Sequence, residues 1–190
     1  MFSWINAAVS VQEACIKHQF PFAFIGGVAL QRWGEPRVTI DVDITLFTGF
    51  GKEAKFIETL LGIFPARAAD AAEFALQRRV LLLQSTEGIG IDIALGALPF
   101  ERSLIDRASY AEYLPGIQLY TCSAEDLVIT KSFADRPQDW IDVDRVIVRQ
   151  GEKLDWEYIL EQLKELTAIK ESPEILARLK KLRAERETNP

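Results

Sequence analysis

Histidine is almost absent from this chain: His18 is the single one among 190 residues. That excludes paired-histidine zinc motifs such as HExxH, and it makes a metal-dependent phosphohydrolase the weakest of the enzymatic readings. Cysteine is nearly as scarce. Cys15 and Cys122 stand too far apart for a CxxC ligand pair or a disulfide framework, and they read as two core thiols. Long apolar runs are missing as well: charge-free stretches such as Gln19–Gln31 are broken by Pro21 and Gly26–Gly27, short of the roughly 18 apolar residues of a membrane span. Residues 1–20 carry Glu13, Lys17 and His18 where a leader would be basic and then apolar, so the expected location is cytoplasmic and no membrane partner is expected. Positive charge is in deficit, 22 Lys and Arg against 28 Asp and Glu, for a net charge of -6. Bulk, non-specific nucleic-acid binding is therefore not expected, although a local basic patch stays compatible with that balance.

Two glycine motifs also fail. Gly49-Phe50-Gly51-Lys52-Glu53 lacks the first glycine and the final Ser or Thr of a P-loop, and Gly88-x-Gly90 meets Ile93 where a dinucleotide fingerprint needs glycine. What the chain does have is 48% hydrophobic residues, eleven Phe and four Trp among them, at a length that buries roughly 70% of the unfolded surface. A packed core is expected.

Apolar spacing predicts a helix over 4–17, a buried strand over Phe22–Ile25, and a tight Gly26–Gly27 turn opening a second helix that Gly34 and Pro36 stop. From Thr39 to Phe47 the sequence alternates, with Ile40, Val42, Ile44 and Leu46 on one face of a strand and Asp41, Asp43 and Thr45 on the other. A helix over Lys52–Phe64 follows; strands over Leu76–Gln84 and Gly88–Leu95 pair as a hairpin; Phe100–Tyr113 holds a short helix, and Ile117–Thr121 another strand. Beyond that the pattern is helical: Ser123 caps a helix with Asp126 at the capping-box position, Asp155 precedes a second with Trp156, Ile159 and Leu163 at helical spacing, and Ser172-Pro173 opens a third. The expected fold class is α/β (α+β), a small mixed sheet flanked by helices and followed by a helical half. The expected division is a core over 1–116 and a mainly helical region over 117–190.

The chemistry lies in three aspartates set among apolar strand residues. Asp41 and Asp43 project from the same strand face about 7 Å apart, near enough for both carboxylates to reach shared cations, and Asp92 adds a third oxygen donor if its strand is a neighbour. Hard carboxylate donors suit Mg2+ or Mn2+, with substrate phosphates completing the shell. The backbone N–H groups of Gly26 and Gly27 at a helix start form a cradle for phosphate. An anion site beside a cation site serves phosphoryl or nucleotidyl transfer.

The pattern apolar-Gly26-Gly27, thirteen residues, Asp41-x-Asp43, then Asp92 between Ile91 and Ile93 resembles the DNA polymerase beta-like nucleotidyltransferase superfamily. Gly26-Gly27-Val28-Ala29-Leu30, Arg37-x-Thr39-x-Asp41-x-Asp43, and Glu125-Asp126-Leu127 leading to Lys131 and Asp139-x-x-Asp142 resemble more narrowly the AbiEii/AbiGii-type nucleotidyltransferases of toxin-antitoxin and phage-defence systems. The resemblance implies a nucleotidyltransferase-type sheet with a helical half closing over an NTP. It implies metal ligation by Asp41, Asp43 and Asp92, with Asp92 helping to activate the acceptor hydroxyl. It further implies contacts from Gly26, Gly27, Arg37 and Thr39 to the nucleotide or its phosphates, triphosphate neutralisation by Lys131, and a far wall shaped by Asp139 and Asp142. The pair Gly26-Gly27 stands where many relatives have Gly-Ser, so that hydroxyl is absent. From the residues alone, Arg37 also has Glu35 within pairing reach, Lys131 has Asp135 at i,i+4, and Asp139, Asp142 and Asp144 fit a solvated helix face.

The resulting expectation is a Mg2+-dependent transferase of NMP from an NTP to an acceptor hydroxyl, on RNA or tRNA, a protein or a small molecule. The alternative is a catalytically silent nucleotidyltransferase-like module that binds nucleotide or a partner, such as a cognate toxin or antitoxin.

Overall fold

The computed structural model describes residues 3–188; Met1, Phe2, Asn189 and Pro190, at the outer ends of the two expected regions, lie outside the described residues. The chain divides into two compact units, one of Met1–Val28 and Val38–Cys122, the other of Ala29–Arg37 and Ser123–Pro190.

The first unit is mixed α/β. It holds α1 (Ser3–Lys17), β1 (Phe22–Phe24), the first turn of α2 (Gly26–Trp33), β2 (Asp41–Phe47), α3 (Glu53–Leu61), α4 (Ala71–Arg78), β3 (Val80–Gln84), β4 (Gly90–Gly96), α5 (Pro99–Asp106), β5 (Ser109–Leu114) and β6 (Ile117–Thr121). The strands form one six-stranded sheet in the order β3-β4-β2-β1-β6-β5. β2 runs parallel to β4 and β1 to β6, while the β1–β2, β3–β4 and β5–β6 pairs are antiparallel. Strand alternation sends Val42, Ile44, Leu46, Leu81, Leu83, Ile91, Ile93 and Leu95 into a core shared with Ala8 and Val11 of α1, Ile57 and Leu60 of α3, and Ala75 of α4. The opposite face, with Asp41, Asp43 and Asp92, is only half-buried. Both thiols are buried, as expected of core cysteines, and burial pushes the Cys15 thiol up to about 12.

Three local differences from the sequence expectation have physical causes. Ile40 is 76% exposed because β2 begins only at Asp41, so it precedes the segment whose alternation it continues. Leu76 belongs to α4, which continues to Arg78 and ends on Arg79 in the left-handed conformation (φ 56°), so the strand starts four residues later. The short helix expected within Phe100–Tyr113 is α5, which ends at Asp106, and an unexpected strand, β5, follows it because residues 109–114 find antiparallel partners on β6. The expected hairpin is present, with Gly88 taking φ 79° in a turn where its N–H donates to Ser85.

The second unit is helical. It comprises the remainder of α2 with residues to Arg37, then α6 (Ala124–Ala134), α7 (Pro137–Gln150), a short 3-10 turn at Gly151–Lys153, α8 (Trp156–Lys170) and α9 (Pro173–Thr188). The cap expected at Ser123 is present, and Asp155 supplies another. The Ser123 hydroxyl accepts from the Asp126 N–H and donates to the Asp126 carboxylate, and the Asp155 carboxylate accepts from the Tyr158 N–H. Asp126 is fully buried and takes a second hydrogen bond from the Tyr158 hydroxyl at 2.8 Å, which ties α6 to α8. Apolar residues Leu127, Val143, Val146, Ile159, Leu163, Ile175 and Leu179 are buried here.

Candidate active site

The parallel pairing of β2 with β4 sets the central geometry. Asp43 is the Cα partner of Asp92, and Asp41 is the partner of Gly90, so the three aspartates fall on one face across two adjacent strands. The condition placed on Asp92, that its strand neighbour the first, is met. This face carries carboxylates rather than apolar side chains because the other face already supplies the core, leaving the aspartates about as exposed as charged groups require.

Gly26 and Gly27 open α2 against this row. Gly26 takes φ 53°, and a Cβ there would overlap the Asp43 carboxylate, so glycine is required on both conformational and steric grounds. The Gly27 N–H faces Asp43 Oδ2 at 3.4 Å, and a Cβ on Gly27 would lie 2.9 Å from the Thr39 hydroxyl oxygen. The turn, Thr39, Asp41, Asp43 and Asp92 are thus gathered in the first unit.

Sequence reasoning missed one residue of this place. Arg67 forms an ion pair with Asp92, and its Nη1 lies 3.0 Å from where a Gly90 side chain would begin. An isolated arginine in an irregular segment ahead of an alanine-rich helix carries no motif; only the sheet register reveals it. Among the described residues no three His, Cys, Asp or Glu side chains gather closely enough to enclose a metal ion. The Asp43 carboxylate turns toward Gly27 and the Asp92 carboxylate toward Arg67. In donor chemistry and in backbone register the three aspartates nonetheless fit a hard divalent cation, since all are oxygen donors on one half-buried face.

The other expected residues meet in the second unit. The Lys131 ammonium donates to Asp139 Oδ1 at 2.9 Å and to Asp142 Oδ2 at 2.8 Å, while Arg37 forks onto both oxygens of Asp142 at 3.2 and 3.0 Å. Gln138 adds a bond to Asp142 at 3.2 Å. Asp142 is fully buried and Lys131 is 6% exposed, so the solvated helix face expected for these aspartates is not what forms. Burial pushes the Asp142 carboxyl up, but the hydrogen bonds from Arg37 and Lys131, with the Lys131 charge, outweigh it and hold the group below its ordinary value. The sequence-local pairs are replaced: Glu35 meets Arg145, and Asp135 caps α6 at φ 58° and accepts from the Trp140 indole N–H at 2.6 Å. Asp139 Oδ2 and the Ser132 hydroxyl are buried without a hydrogen-bond partner among the described residues.

The fold is that of a nucleotidyltransferase. The solution structure of the antibiotic-resistance factor ANT(2'')-Ia is similar with a TM-score of 0.53 at 15% identity over 100% of both chains. The crystal structure of ANT(2'')-Ia in complex with adenylyl-2''-tobramycin is similar with a TM-score of 0.52 at 16% identity, covering 88% of this chain and 96% of that one. The chain belongs to the family of nucleotidyl transferase AbiEii toxins of type IV toxin-antitoxin systems, whose model matches residues 16–187. No curated protein gives a significant sequence match. None of the described helices is long and apolar enough to cross a membrane.

Proposed function

We propose that this chain is a Mg2+-dependent nucleotidyltransferase that moves an NMP group from an NTP to an acceptor hydroxyl and releases pyrophosphate. The observation that carries the reading is Asp43 in register with Asp92 across the parallel β2–β4 ladder, with Asp41 on the same face and the Gly26–Gly27 turn against Asp43. Asp41, Asp43 and Asp92 would hold the cation, which when bound supplies charge stabilisation for the attacking and leaving oxygens. Backbone N–H groups at the start of α2 and the Thr39 hydroxyl bind and orient the phosphates. The acceptor oxygen bonds to the α-phosphorus as the α–β bridging bond breaks; the hydroxyl proton passes to the Asp92 carboxylate, and pyrophosphate carries away the bonding pair. Within the helical unit, Lys131, Arg37, Asp139 and Asp142 hold one another in place through their mutual ion pairs. Family membership supports a cognate antitoxin as the partner. The adenylyl-2''-tobramycin in complex with ANT(2'')-Ia favours a hydroxyl acceptor here too, on RNA, protein or a small molecule.

Titration of the purified chain with each of the four NTPs, with and without Mg2+, followed by thermal stability, tests this reading. Metal-dependent, base-selective stabilisation that Asp43→Ala abolishes is the expected result; no stabilisation by any NTP overturns it. A second reading, a catalytically silent module that binds a partner, is favoured by the engagement of Asp92 by Arg67. A stable complex with a co-encoded protein and no consumption of nucleotide would establish that alternative.

A further inference from the structure

Arg67 is placed by backbone pairing. Its N–H donates to the Leu82 carbonyl at 3.1 Å, and the neighbouring Ala66 bridges to Leu83, so this segment lies along the outer edge of β3. Leu82 is the Cα partner of Asp92, and Asp92 that of Asp43. A single row, Arg67, Leu82, Asp92, Asp43, therefore crosses the sheet, with a guanidinium at one end and two carboxylates at the other. Gly90, on the same face, leaves the room that the Arg67 Nη1 occupies beside Asp41.

We infer that Arg67 is the resident counter-ion of the aspartate row and that it exchanges with a divalent cation for the Asp92 carboxylate, after which its guanidinium turns to the nucleotide phosphates. The inference rests on the metal reading given above. A carboxylate shared between a dication and a guanidinium would bring two positive centres together, so the two partners compete. Exchange is cheap because neither group is deeply buried: the side chains of Arg67 and Asp92 are 34% and 31% exposed, and water replaces the broken ion pair. A planar, permanently charged fork released at this spot is suited to phosphate oxygens. Arg67 thus holds the Asp92 carboxylate before the cation arrives and binds phosphate once displaced.

The test is Mn2+ binding to the nucleotide-free full chain, followed by electron paramagnetic resonance, for the parent protein and for Arg67→Ala, Arg67→Lys and Asp43→Asn. Arg67→Ala is expected to bind Mn2+ on the order of fivefold more tightly than the parent, with Arg67→Lys near the parent because it keeps the charge. With Mn2+ saturating, Arg67→Ala is expected to lose several-fold in affinity for the NTP that stabilises the parent. Unchanged or weaker Mn2+ binding by Arg67→Ala, with a circular dichroism spectrum like the parent's, overturns the exchange. Tighter Mn2+ binding with unchanged NTP affinity overturns the phosphate role alone. Mn2+ binding by none of the forms, or equal binding by parent and Asp43→Asn, overturns the metal reading itself and the exchange with it.

Discussion

A glycine whose side-chain position is already taken by a carboxylate is a sensitive test of the site. Gly26→Ala meets Asp43 at a positive φ and is expected to cost about 2 kcal/mol in denaturant unfolding. It should also abolish NTP stabilisation, because relief of the clash must move either the turn or Asp43. Asp142 is tested by acid. Its carboxyl is held below the ordinary value of 3.8 in the folded state, so its contribution is present above that value and is lost as pH falls through the folded pKa. Asp142→Asn is expected to lower stability at pH 7 by about 3 kcal/mol, since Lys131 and Arg37 lose a buried charge partner. It should also flatten the acid limb of stability against pH; an unchanged limb would show that another carboxylate governs it. The aspartates and glycines of the first unit are legible in the sequence because alternation and the Gly-Gly turn fix their faces locally. The burial of Lys131 and Asp142 is not, since Arg37 reaches Asp142 from a segment 105 residues away.

Among the elements, the helix starts carry the most legible chemistry. Ser123 both caps α6 and donates to the buried Asp126, so Ser123→Ala is expected to cost about 1–2 kcal/mol. Thermal unfolding checks the figure, and Ser123→Asp should restore the cap while placing a second carboxylate against Asp126, leaving a net loss. Strands are harder to delimit than helices because their limits depend on partners. Thr39 and Ile40 continue the alternation of β2 yet precede its first pair, Asp41 with Gly90. Residues 109–114 have a strand identity only through β6. Arg67 lies in neither kind of pattern, and its position depends on the edge of β3.

On the scale of the whole molecule, the chain passes between the two units three times, because Ala29–Arg37 belongs to the helical one. Residues 123–190 expressed alone would lack Arg37, the bidentate partner of Asp142, and Leu30, which is fully buried. Such a fragment is expected to be partly unfolded by circular dichroism at temperatures where the full chain is not; cooperative melting at the full chain's midpoint would refute this. The division of labour between sheet faces has a further effect, on folding itself. If β4 paired with β2 one residue out of step, Asp92 would enter the apolar layer beside Val42 and Ile44, while Ile91 and Ile93 would turn to the polar side. An ionised carboxylate in that layer is prohibitively unfavourable, so the residues proposed for chemistry also proofread the strand alignment. Neutralising them to build an inactive variant removes that proofreading, and aspartate-to-alanine forms should give a lower refolding yield even where their native state is no less stable.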